Sequence, residues 1–267
     1  MMSSSVSPEE GNQTPEANKP RDADYWARNV SSLKLGVVPS GAINLNVHGK
    51  QPVGPLQGFG RMWQKTYRVS LEGVNVLPTG VIKVWKEHFP EFWPKGNRFY
   101  GPLTGIAPGE VGLINLALPG GMPLSTGVMV LYADEESFTF MTPQGHVFAG
   151  WITFSAYEEE EGQTTAQVQV LIRANDPIYE LGFRMGASKN EDRFWQSTLR
   201  ALASYFGVEA PQVETQSICV DHKIQWSQAK NVWHNAGVRT TLYLMASPVR
   251  APMRWMRKRS RRAHASQ

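Results

Sequence analysis

The chain has almost no cysteine. Cys219 stands alone among 267 residues, which excludes an internal disulfide framework and any multi-cysteine metal cluster. One thiol suits a reducing compartment, and the expectation is a cytoplasmic protein. No run of 18 apolar residues is present, so no membrane-spanning helix is expected. The first 24 residues are rich in Ser, Pro, Glu and Asn and lack the apolar stretch of a secretory signal. Metal-ligand spacing is also missing. His146, His222 and His234 lie far apart, and none belongs to a pattern such as H-E-x-x-H. They read as structural or surface groups, and no bound metal or other cofactor is expected. There is no G-x-S-x-G elbow to carry a serine nucleophile. Cys219, with only His222 and Lys223 as basic neighbours, reads as an inert buried thiol. Gly58-Phe59-Gly60 lacks the third glycine of a dinucleotide loop and leads into a strand rather than out of one, so it reads as a flexible approach to that strand.

What charge there is lies at the two ends. Residues 1–24 carry a net −3, residues 250–267 carry seven Lys or Arg and no acid, and the stretch between them is neutral, for a total of +4. A neutral body makes nucleic acid an unlikely partner, since a globular binder carries its basic patch on the folded surface. Residues 1–24 have too little apolar content to repay the entropy of ordering and are expected to be a disordered acidic tail. In the basic tail, Arg254, Arg257, Lys258, Arg259, Arg261 and Arg262 flank Met253, Trp255 and Met256. That mixture suits an anionic membrane surface, which attracts each cation while Trp and Met insert among the headgroups. The four acids Glu158–Glu161 read as a solvated turn.

Between the tails the periodicity is that of an α+β domain. Residues 64–71 alternate Tyr67, Val69 and Leu71 with polar neighbours, a half-buried strand. Pro78-Thr79 opens a helix on which Val81, Ile82, Trp85, Phe89 and Phe92 recur at three- and four-residue spacing, closed by Pro94. Strands are expected over Leu113–Leu118, Thr126–Tyr132, Ser137–Met141, Val147–Tyr157 and Thr164–Arg173. The turns between them are Pro119-Gly120-Gly121, Asp134–Glu136, Pro143–Gly145 and the acidic run ending in Gly162. Short turns make an antiparallel meander. In the last strand Val168, Val170 and Ile172 form an apolar face, and Gln167, Gln169, Leu171 and Arg173 a largely wet one. Asp176-Pro177 caps a helix that Gly186-Ala187-Ser188 interrupts and Gly207 stops. A final helix is expected from Ile224 to Met245, with Trp226, Ala229, Trp233 and Ala236 on one stripe.

The stretch from Gly150 to Val208, with Gln169–Phe183 and Glu191-Asp192-Arg193-Phe194-Trp195, resembles uncharacterised members of the START-like (SRPBCC) superfamily. The resemblance covers about residues 63–208. It implies a helix-grip fold: an antiparallel meander wrapped on a long C-terminal helix, here with an extra C-terminal helix, and a cavity between sheet and helix. The implied organisation is an acidic tail (1–24), a helix-grip domain with an N-terminal arm (25–208), a helical extension (209–249) and a basic tail (250–267). That superfamily includes lipid and hormone binders, polyketide cyclases and ring-hydroxylase subunits, so fold alone selects no activity.

Within such a cavity, Phe148, Ile152 and Phe154 share one strand face, and Tyr179, Phe183, Phe194 and Trp195 lie on the covering helix. His146 begins its strand near the mouth. Tyr179 is a candidate polar contact, and Arg173, assigned to the wet face, is a poor one. The expected function is binding of a hydrophobic small molecule or lipid by a cytoplasmic protein able to dock peripherally on a membrane. Two alternatives stand beside it: a cyclase- or dehydratase-type enzyme using the same cavity, and a non-catalytic interaction module. An ionisable side chain in an open cavity favours the enzyme, an apolar open cavity the binder, and a filled core the module.

Overall fold

The structure, a computed structural model, describes residues 23–117, 123–159 and 162–246. The tails at 1–22 and 247–267, the Pro119-Gly120-Gly121 turn and Glu160-Glu161 lie outside those residues. So do the six cations proposed for a membrane surface. Among the described residues no helix is long and apolar enough to cross a membrane.

Among the described residues, nine strands form one antiparallel sheet. In chain order they are β1 (Pro52–Val53), β2 (Met62–Ser70), β3 (Arg98–Tyr100), β4 (Val111–Ala117), β5 (Pro123–Ala133), β6 (Ser137–Pro143), β7 (Phe148–Glu158), β8 (Thr164–Ala174) and β9 (Val213–Asp221). Their spatial order is β3-β4-β5-β6-β7-β8-β2-β9, with β1 pairing β6. β4 to β8 are the expected meander. β2 returns to pair with β8, Tyr67 opposite Val168 and Lys65 opposite Val170.

The inner face of the sheet is covered by two helices. α1 (Pro78–Glu87) buries Val81, Ile82 and Trp85, its apolar residues falling on one side as their spacing requires. The expected helix ends there, and Phe89–Phe92 form a separate 3-10 turn. α3 (Ser188–Tyr205) buries Thr198, Leu199, Leu202 and Ala203. α2 (Pro177–Gly182) precedes it, capped as predicted by the Asp176 carboxylate, which accepts from the backbone N–H of Ile178 and Tyr179. The two helices meet in a π-helical turn, Phe183–Ala187, where Gly186 holds φ 110°. An antiparallel sheet closed on a long helix is the helix-grip arrangement, and the fold class is α+β.

The outer face is half covered. Leu33 and Val47 of the N-terminal arm pack on Leu113 and Met129, which is why β5 is buried on both sides from Leu124 to Val130. α4 (Ala236–Met245) lies against β5 as well. It is tied there by Asn46, whose Nδ2 donates to the carbonyls of Ser125 (2.8 Å) and Ala236 (3.2 Å) and to Thr240 Oγ1 (3.1 Å).

Three expectations need correction. The single helix from Ile224 to Met245 is instead a 3-10 segment, Trp226–His234, followed by α4. Asn235 starts α4 afresh by accepting from Val238 N–H, so the stripe loses its phase, and Trp226 and Trp233 stand 74% and 80% exposed. β9 falls within the stretch expected to be a helical extension, 209–249, but it is a strand that adds to the free edge of β2. Six of its nine residues are exposed and none is fully buried, so backbone pairing rather than burial holds it. Gly58 and Gly60 are not a flexible approach but a close one. A Cβ on Gly58 would lie 2.6 Å from Arg173 Cβ, and one on Gly60 2.2 Å from Glu180 Oε2.

Asn46→Ala removes a fully buried side chain with its hydrogen bonds to β5 and α4 and takes the acceptor from Arg239 Nε–H. It should lower unfolding stability by about 2 kcal/mol in chemical denaturation, with the sheet's circular dichroism unchanged below the transition.

Candidate functional site

The space inside the grip is filled unevenly. At one end Phe89, Phe99, Phe138, Phe140 and Phe154 pack with Trp85, Phe138 stacking on Phe154 at 4.6 Å and Phe89 meeting Phe154 edge-on at 5.2 Å. At the other end a cavity of ≈ 200 Å3 remains between the sheet and α3. Its floor is Ile114, Val128, Phe140, Ile152, Val170 and Ile172, one residue in two along β4 to β8. Its cover is Phe183, Phe194 and Trp195. Phe148 meets Phe183 edge-on at 4.9 Å, joining strand to π turn.

Of the residues predicted for the site, His146, Phe148, Ile152 and Phe183 line this cavity, together with Phe194 and Trp195. Phe154 does not: it shares their strand face but is consumed by the aromatic cluster, 5.3 Å from Trp85. Tyr179 does not either. Its hydroxyl accepts from Gly237 N–H at 2.9 Å and holds the start of α4. Arg173 is not wet but 1% exposed, on the face away from the cavity. Its guanidinium donates to the carbonyls of Gly60 and Lys223 and pairs with Asp221. The alternation placed it on the correct face, but the 58–61 segment and the end of β9 cover that face. Cys219 is half-buried in β9 rather than fully so.

His146 is buried, and burial pushes its pKa down to about 4, with the Phe148 backbone hydrogen bond opposing the shift. Its Nδ1 lies 3.1 Å from the Phe148 N–H and 3.2 Å from the Phe148 carbonyl, so either tautomer finds a backbone partner there. His222 is exposed, and His234 Nδ1 lies 3.3 Å from Lys50 Nζ. Among the described residues no group of three or more His, Cys, Asp or Glu is arranged to hold a metal ion.

The charged part of the site was not anticipated. Lys65, on β2, points inward and is 2% exposed, and its Nζ donates to Ser188 Oγ (3.0 Å), Glu191 Oε2 (2.7 Å) and Asp192 Oδ1 (2.8 Å). Tyr67 also donates to Asp192 Oδ1, at 2.8 Å. Burial alone would lower the pKa of Lys65, but Glu191 and Asp192 outweigh it and hold the cation charged above the ordinary lysine value. Burial raises the Glu191 carboxyl, with Lys65 opposing, and raises the Tyr67 phenol. Glu191 lines the cavity; its side chain is 7% exposed. The signal in the sequence was a lysine in register with the apolar residues Tyr67 and Val69, two positions before the first.

No family model and no curated protein matches the chain. Solved structures resemble about half of it. The di-domain ARO/CYC StfQ from the steffimycin biosynthetic pathway is 12% identical, covers 54% of this chain and 50% of its own, and superposes with a TM-score of 0.43. The Ms6760 protein of Mycobacterium smegmatis is 13% identical over 55% of this chain and 91% of its own, with a TM-score of 0.40. The major latex-like protein 151 of Panax ginseng is 17% identical over 55% and 99%, with a TM-score of 0.33. At these values no ligand is inferred from them, and the helix-grip class rests on the strand order and the gripped helix described above.

The depressed His146 pKa has a pH consequence. Above about pH 6.5 the ring is neutral in both folded and unfolded chains and costs nothing. As pH falls toward 4 the unfolded chain takes up the proton and the folded one does not, so stability drops by about 3 kcal/mol over that window. In His146→Asn, whose Oδ1 replaces the Nδ1 acceptor, the loss between pH 6.5 and 5 in urea denaturation should shrink.

Proposed function

We propose that this protein binds a compact hydrophobic molecule, one or two rings in size, in the cavity between sheet and α3. The observation that carries this reading is the void itself: ≈ 200 Å3 ringed by eight aromatic side chains in a grip whose other end is packed solid. An engineered apolar cavity of about 150 Å3 takes up benzene, so this volume suits a mono- or bicyclic ring better than an extended acyl chain. Naphthalene should bind at micromolar concentration by calorimetry. Phe183→Trp, which pushes a larger ring into the same space, should weaken it by about ten-fold or more, while shifting the melting temperature little. Equal affinity for both proteins would count against the placement.

A second reading, catalysis of the cyclase or dehydratase kind, is favoured by the two ionisable groups, His146 and Glu191, that line the same cavity. Burial holds the first neutral and raises the second, a combination suited to moving protons. Native mass spectrometry of the purified protein, followed by incubation of any co-purified molecule, separates the two readings: a binder returns it unchanged.

Peripheral membrane docking is the finer expectation for the C-terminus. Trp226, Trp233, Leu242 and Met245 are 74%, 80%, 61% and 69% exposed, on the segment leading into the run of cations from Arg254 to Arg262. Each cation near an anionic bilayer contributes roughly 1 kcal/mol, so six suffice for salt-sensitive docking. The full chain should co-sediment with phosphatidylserine vesicles and not with phosphatidylcholine ones, and a chain ending at Pro248 should stay in the supernatant. Equal sedimentation of both would make the tail a bystander.

A further inference from the structure

The polar atoms that face the cavity are few, and most are already spoken for. Thr142 Oγ1 exchanges hydrogen bonds with the backbone of Gly150, donating to its carbonyl and accepting from its N–H. Asn97 Nδ2 donates to the Pro94 carbonyl and its Oδ1 accepts from Ala117 N–H. Asn190 is exposed to water at the rim. Glu191 is different. Its Oε2 accepts from Lys65, but among the described residues no hydrogen bond reaches Oε1, although the side chain is 7% exposed. Lys65 in turn has all three of its protons engaged, on Ser188, Glu191 and Asp192, and has none left for an incoming anion.

We propose that the ligand of this cavity carries a hydrogen-bond donor, a hydroxyl or an amine N–H on an aromatic body, and presents it to Glu191 Oε1. The inference rests on the cavity reading above and deepens it. An apolar hydrocarbon that covers this oxygen strips it of water and gives it no partner, which is costly. A donor satisfies it with a charge-assisted bond, about twice as strong as a neutral one. A carboxylate ligand meets a second negative charge, with no Lys or Arg among the described lining residues to offset it.

Three isosteric probes test this by calorimetry at neutral pH on the full chain: naphthalene, 2-naphthol and 2-naphthoate. The alcohol should bind about ten-fold more tightly than the hydrocarbon, and the carboxylate more weakly than either. In Glu191→Leu, which leaves Lys65 paired with Asp192, the advantage of the alcohol should vanish while naphthalene still binds. Naphthoate binding as well as naphthol would overturn the inference and make His146 the anchor. Equal affinities for all three would overturn the head-group preference and leave the cavity reading standing. Absence of binding by every probe would overturn the cavity reading and this inference with it. If Glu191→Leu fails to fold, the wild-type series decides alone.

Discussion

Lys65 holds the grip in register. Its ammonium, 2% exposed, has three protons and three oxygens to receive them, all on the first turn and a half of α3. Left without its carboxylate partners a buried charge costs about 3–5 kcal/mol. Sliding α3 by one turn along the sheet, about 5.4 Å, would strand the cation. The helix therefore has one position over β2, and the positions of Phe194 and Trp195 over the floor follow from it. The same cluster orients Glu191 so that only one of its oxygens is consumed.

The two ends of the grip obey opposite rules. Around Phe89 the aromatic rings pack against one another and supply dispersion and burial. Beyond them ≈ 200 Å3 is left open. Measured cavity costs of about 24 cal/mol per Å3 put the penalty of such a void near 5 kcal/mol relative to a filled core. That is comparable to the whole stability of many domains. Two or three larger side chains on the floor would recover much of it. The chain instead has Val128, Val170 and Ala187 at the lining, which leaves room for an occupant.

Alternation and capping made much of this legible in the sequence. Val168, Val170 and Ile172 face inward as their spacing dictates, Asp176 caps α2, and the break at Gly186 falls in the π turn. What stayed hidden was set by distant segments. Phe154 and Ile152 share a face, and only α1 and Phe89 decide that the first is core and the second lines a void. Arg173 and Lys65 are charged residues on strands. Whether such a residue is wet depends on what crosses over it, here the 58–61 segment and the first turn of α3. β9 has no polarity alternation to announce it, because both its faces are exposed. The helix expected over 224–245 failed because one capping residue, Asn235, resets the winding.

The pairing of β2 has a kinetic side. Its partners on either flank, β8 and β9, lie about a hundred and a hundred and fifty positions further along the chain. Asn46 likewise waits for Thr240, and Asn231 Nδ2 closes onto the carbonyls of Gln57 and Asn175. A meander of neighbours, β4 to β8, can zip locally, whereas these closures join the chain's ends after long loops have been collected, and such non-local topologies fold slowly. During synthesis β2 emerges before its neighbours on both flanks and stays unpaired until β8 and β9 have followed. β9 closes the free edge of β2 late, and α4 follows it as a latch between Asn46 and β5.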